Sequence, residues 1–120
     1  MAEPERVEVD HILIGVTSPK FAGKRAAAEA KKVAYELLAK LKAGGDWAKT
    51  KRVYSEDPPP GGPYALSNRG TKPGKGEYAR DAMVPAFGNV GFTLAVGEIG
   101  VADHDAKTSP FGYHLIKRTK

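Results

Sequence analysis

The sequence predicts a small α+β domain: strand-like runs at both ends of the chain, helical periodicity between them, and two glycine-marked turns. Val7–Ile14 reads VEVDHILI. It alternates at first and then becomes continuously apolar, the pattern of a strand whose second half is buried on both faces. Tyr113–Arg118 alternates and predicts the last strand. Two strands at opposite ends of a chain can lie side by side in one sheet, small and antiparallel or mixed, with helices covering it.

Ser18-Pro19 has the form of a helix cap followed by proline at the first helical position, so a helix is expected from about Phe21 to Ala43. Ala30, Val33, Ala34, Leu37, Leu38 and Leu41 form its apolar stripe. Gly44-Gly45 ends it, since glycine enters the left-handed region without a Cβ clash. Asp46 caps a second helix, Trp47 to about Tyr54, and Pro58-Pro59-Pro60-Gly61-Gly62 cannot continue it. A short strand is expected at Tyr64–Ser67. Thr71–Arg80, rich in glycine, lysine and charge, reads as an exposed loop, and the segment 71–82 as a mobile one. Met83-Val84-Pro85-Ala86-Phe87 opens a third helix with an early proline. Val101–Ala106 fits a strand or a loop. The order is β-α-α-β-α-β-β, with no internal repeat.

Composition narrows the class. The chain has 120 residues, 41% of them apolar, which suits one domain with a modest core, here about 7–119. It has no cysteine, which excludes disulfides, a thiol nucleophile and thiolate-bound metal. No apolar run nears the roughly 20 residues of a membrane span, and the polar start lacks a signal-peptide core. A cytoplasmic protein is expected if the chain is complete. The net charge of +5 is scattered over helix faces and loops, so nucleic acid is not an expected partner. His11, His104 and His114 with Asp57, Asp103 and Asp105 could suggest a metal site, but no two histidines have helical or loop ligand spacing, and Gly70–Gly76 lacks phosphate-loop spacing. No metal and no cofactor is expected.

Six segments, in order, carry a resemblance. They are Asp10-His11-Ile12-Leu13, Gly45-Asp46-Trp47, Tyr54-Ser55-Glu56-Asp57, the Gly61–Gly70 segment ending Arg69-Gly70, Met83–Phe87 with Phe92-Thr93-Leu94 and Gly97-Glu98-Ile99, and Phe111–Ile116. Together they resemble the parvulin-type peptidyl-prolyl cis/trans isomerases along about Val7–Thr119. The resemblance implies a mostly antiparallel four-stranded sheet surrounded by helices, rotamase activity on Xaa–Pro bonds, and peptides or unfolded protein segments as partners of a monomer. It implies His11 and His114 as a hydrogen-bonded pair under the substrate, with Asp57 where the family carries a cysteine or aspartate. Glu56 is the alternative to Asp57 as the inward group.

Met83, Phe87 and Phe92 are the candidate proline pocket, with ordinary core packing as the alternative; Tyr64 and Ser109 are candidates for its rim. The sequence departs from the family at Pro63-Tyr64-Ala65, in the short all-proline link after Asp57, in the 71–82 insertion, and at Lys51, where a small apolar residue is usual. Ser109 stands where threonine is common, and Trp47 where phenylalanine is usual. The link after the first strand is short. Its Lys20, Lys24 and Arg25 read as solvated helix-start residues, so no strong phosphate requirement is expected. The alternative function is a non-catalytic module that holds unfolded chains.

Rotation of an Xaa–Pro bond crosses a barrier of roughly 20 kcal/mol. Turnover in about 10 milliseconds needs roughly 4–5.5 kcal/mol of preference for the twisted amide. No bond is broken, so a proline pocket and correctly oriented polar groups are sufficient chemistry.

Overall fold

β1 (Arg6–Gly15) forms the centre of the sheet in the computed structural model, which describes residues 3–19, 21–57 and 62–120. It pairs antiparallel with β4 (Tyr64–Ser67) through Arg6–Val9 and with β7 (Gly112–Arg118) through Val9–Gly15. β6 (Ile99–Ala102) lies antiparallel on the outer side of β7, and β5 (Glu77–Ala79) lies parallel to β4. The sheet order is β5-β4-β1-β7-β6.

Alternation along β1 divides the core in two. Ile12 and Ile14, with Leu115 of β7, face α1 (Ala27–Lys42), which meets them with Ala30, Ala34, Leu37 and Leu41. Val7 and Val9, with Leu66 and Ile116, face α3 (Pro85–Gly91) and bury Ala86, Phe87 and Phe92. Each fully buried aliphatic or aromatic side chain contributes about 1.5–3 kcal/mol, so both faces of the central strands are stabilised. α2 (Trp47–Tyr54) begins where expected: the Lys49 amide donates to the Asp46 carboxylate at 3.0 Å. Gly44, at φ +103°, ends α1. Proline at the first turn of α3 also matches the sequence reading. The Pro58–Gly61 stop lies outside the described residues, and α2 has ended by Tyr54.

Three expectations are corrected. The helix predicted from Phe21 starts at Ala27 instead. Thr17–Ser18 and Phe21–Ala22 form a two-stranded ribbon, β2 and β3, with Pro19 in its turn rather than in a helix cap. The Thr17 amide donates to the Arg25 carbonyl at 2.8 Å, and Gly23 rests on the β1 backbone, where a Cβ would lie 2.5 Å from the Gly15 carbonyl carbon. These tertiary ties override the local helix signal.

The second correction is the number of strands, five rather than four. The fifth comes from the third, because the 71–82 segment is not all loop: it holds β5 and a 3₁₀ turn at Arg80–Ala82. Arg6 Nε donates to both Glu77 oxygens, at 3.0 and 3.2 Å. Arg80 anchors the other end. It is 8% exposed, lies 5.0 Å from the Phe92 ring centre, and donates to Glu3 at 2.7 Å and Asn68 at 3.0 Å. Gly88 makes room for it, since a Cβ there would meet Arg80 Nε at 2.4 Å.

Candidate active site

β1 and β7 place two histidines together. His11 lies opposite Ile116 and Leu13 opposite His114, so the two histidines are diagonal neighbours on the α3 face of the sheet. Their Nδ1 atoms are 3.3 Å apart and both rings are buried. On the far side of His11, Nε2 meets Asp57 Oδ2 at 3.1 Å. The carboxylate can only accept, so it assigns the proton to His11 Nε2. His11 Nδ1 is then an acceptor, and His114 Nδ1–H donates to it. His114 Nε2 is left as a buried lone pair without a partner among the described residues.

Asp57 reaches this place because the end of α2 takes over the edge of β1 that β4 leaves open. β4 pairs only as far as Val9. Beyond it, the Leu13 amide donates to Ser55 Oγ at 3.1 Å and the Glu56 amide donates to the Leu13 carbonyl at 2.9 Å. Glu56 accepts from the Gly15 amide at 2.6 Å and the Lys24 amide at 2.8 Å, with Arg25 3.8 Å away. Glu56 is therefore fully occupied in holding the chain, and Asp57, not Glu56, faces His11. Its side chain is 28% exposed.

Rings form the apolar wall. Phe87 sits edge-on to His11 at 4.8 Å, 5.1 Å from His114 and 5.9 Å from Tyr64. Tyr64 is 5.7 Å from His11. Tyr64 and Phe87 thus come together beside the histidines, and Met83 is partly buried against the core cluster that holds Phe87. Phe92 shares the core cluster with Phe87 but lies under Arg80, and Ser109 lies under the turn before β7. Phe92 is 2% exposed beneath Arg80, as core. Ser109 is fully buried, and its hydroxyl donates to the Gly112 carbonyl at 2.5 Å, bracing the turn before β7 rather than lining a rim.

Sequence reasoning missed Tyr78. It stands half exposed on β5, 6.0 Å from Tyr64, at the outer end of the row of rings. Its signal was hidden in a segment read as loop. His104 lies near Tyr113, away from the paired histidines.

Burial dominates the electrostatics. It pushes the His114 imidazole down from 6.5 to about 3, helped by neighbouring His11. Burial also lowers His11, against the opposing pull of Asp57. Burial raises the Tyr64 phenol, and the Asp57 carboxylate adds to this. Both imidazoles are thus neutral at neutral pH.

A pH dependence of stability follows. Below about 6.5 the unfolded chain binds protons that folded His114 refuses, so stability falls with acid until His114 protonates near pH 3. Between pH 7 and 5 the loss is on the order of 2 kcal/mol from His114. Thermal melts across that range should show a falling Tm, and His114→Gln should flatten the slope.

A central antiparallel strand pair carrying two hydrogen-bonded histidines, walled by aromatic rings and an aspartate just beyond the end of α2, is a parvulin-type rotamase architecture. The chain belongs to the PPIC-type peptidyl-prolyl isomerase (PPIASE) domain family, which it matches over residues 1–120. It is 33% identical over 101 residues to the foldase protein PrsA of Geobacillus kaustophilus, covering 84% of this chain and 32% of that protein. It is 32% identical over 117 residues to foldase protein PrsA 4 of Bacillus cereus, covering 95% and 31%. The chain spans about a third of the length of these curated relatives. The peptidyl-prolyl isomerase ESS1 from Candida albicans has the same fold, with a TM-score of 0.68 at 21% identity over 100% of this chain and 66% of that one. No helix among the described residues is long and apolar enough to cross a membrane.

Proposed function

We propose that this domain, as a monomer, speeds rotation about Xaa–Pro bonds in peptides and unfolded protein segments, without a strong demand for phosphate before the proline. The observation that carries this reading is the line Asp57–His11–His114 set against Phe87, with hydrogen-bonding atoms 3.1 and 3.3 Å apart. Proline packs on Met83, Phe87 and Tyr64, and its preceding carbonyl lies near Asp57. A planar amide carries negative charge on oxygen and positive charge on nitrogen, and twisting removes that separation. A carboxylate near the carbonyl therefore disfavours the planar form more than the twisted one. The neutral histidines bring no charge to the substrate; their mutual hydrogen bond holds the His11 ring so that its Nε2–H orients the Asp57 carboxylate.

Weak phosphate dependence is supported by the basic residues after β1. Arg25 is turned toward the buried Glu56 carboxylate at 3.8 Å; Lys20 lies outside the described residues. Matched Ser-Pro and phosphoserine-Pro peptides, followed by exchange NMR without a coupling protease, should show kcat/KM values within about tenfold of each other. A hundredfold preference for the phosphopeptide would overturn this part of the reading. Slowed client aggregation with unchanged proline kinetics would instead identify a holding module.

A further inference from the structure

Asp10 lies beside the site and has no part in the chemistry above, yet it has the densest set of ties near His11. Oδ1 accepts the His11 backbone amide at 2.9 Å and the Lys51 ammonium at 2.6 Å. Oδ2 accepts the Trp47 indole N–H at 2.9 Å. The Asp10 and Lys51 side chains are only 14% and 21% exposed, so the pair is held rather than freely solvated. Trp47 and Lys51 lie one helical turn apart on one face of α2, the helix whose end delivers Asp57. Gly62 closes the other side: a Cβ there would meet Asp10 Oδ1 at 2.8 Å and His11 Cδ2 at 3.6 Å. One carboxylate thus connects α2, β1 and the chain approaching β4 at the residue next to His11.

We propose that Asp10 is a positioning residue whose ties to Lys51 and Trp47 hold α2 in the register that brings Asp57 onto His11 Nε2. Lys51, the departure from the small apolar residue usual there, is the partner that makes the carboxylate useful at this position. Ser55 and Glu56 fix α2's end along β1, Trp47 and Tyr54 pack on the core beneath it, and the Asp10 ties are the polar fixing points of the helix body next to His11. Without them, Asp57 no longer dictates which nitrogen of His11 carries the proton, and the histidine pair can reverse its hydrogen bond.

The inference rests on the proposed isomerase site for its kinetic part only. Asp10→Asn keeps the size and one acceptor but removes the charge that holds Lys51. Trp47→Phe, the milder variant, removes one donor and retains an aromatic ring. Imidazole ¹⁵N shifts at pH 7.5 should place the wild-type His11 proton on Nε2 and show mixed tautomers in Asp10→Asn. In exchange NMR with a plain Ala-Pro peptide, kcat should fall about tenfold and KM should stay within twofold, with a smaller change of the same kind in Trp47→Phe. Folded Asp10→Asn and Trp47→Phe proteins that keep the His11 proton on Nε2 would overturn the inference. So would activity losses that follow only a lowered Tm with that tautomer intact. If the wild type turned over no peptide, the isomerase reading would fail, while the tautomer comparison would still decide the role of Asp10.

Discussion

Asp57→Ala should lower kcat/KM for an Xaa–Pro peptide roughly a hundredfold, about 2.7 kcal/mol of transition-state preference. That is about half of what the reaction requires. The loss should fall on turnover, because the side chain contributes little to the fold. It is 28% exposed and is tied by a hydrogen bond to His11 at 3.1 Å. Removing it should cost about 1 kcal/mol of stability. Asp57→Asn separates charge from geometry, since the amide oxygen can still accept from His11 Nε2. If the carboxylate acts by its charge on the planar amide, Asn should lose most of the activity that Ala loses. If it acts by orienting His11, Asn should retain most of it. Exchange NMR on the peptide gives the rates, and circular dichroism melts give the stabilities.

Phe87→Ala should have the largest combined effect. The ring is 4% exposed, packs in the Val9–Leu66–Ile116 cluster and contacts both histidines. Truncating a buried phenylalanine costs about 3–5 kcal/mol, a large part of the stability of a domain this size. Any folded fraction should also have lost its proline wall. Phe87→Leu keeps the core filled and should raise KM severalfold with a modest fall in Tm. Phe92→Leu provides the control. It repacks the same core beneath Arg80, just beyond the end of α3, so its Tm should fall while KM changes less than in Phe87→Leu.

Much of this architecture can be read from local pattern, and the parts that cannot share one cause. β1, α2, β4 and β7 appear where periodicity and caps place them, because Val7–Ile14, Asp46 and the alternation after Gly112 act within a few residues of chain. The histidine pair is legible only through the family resemblance, since register across β1 and β7 brings together residues from opposite ends of the sequence. β5 was hidden because its order comes from distant partners: Arg6 on Glu77, and Glu3, Asn68 and Phe92 around Arg80. A run of glycine, lysine and charge carries no trace of those contacts. The ribbon before α1 was hidden for the same reason, since Gly23 is shaped by the backbone of Gly15–Val16. Sequence position suggests Phe92 and Ser109 for the site, whereas the fold directs both side chains into the interior. The choice between Glu56 and Asp57 needed the open edge of β1, which claims the first and leaves the second facing His11.

The most direct measurement is protease-free exchange NMR of cis and trans Ala-Pro peptide with catalytic amounts of the folded wild-type domain, beside Met83→Ala at equal concentration. The wild type should accelerate the exchange, and the acceleration should drop at least tenfold in Met83→Ala, with KM rising more than kcat falls. A folded wild type that leaves the exchange rate at its uncatalysed value would contradict the isomerase reading.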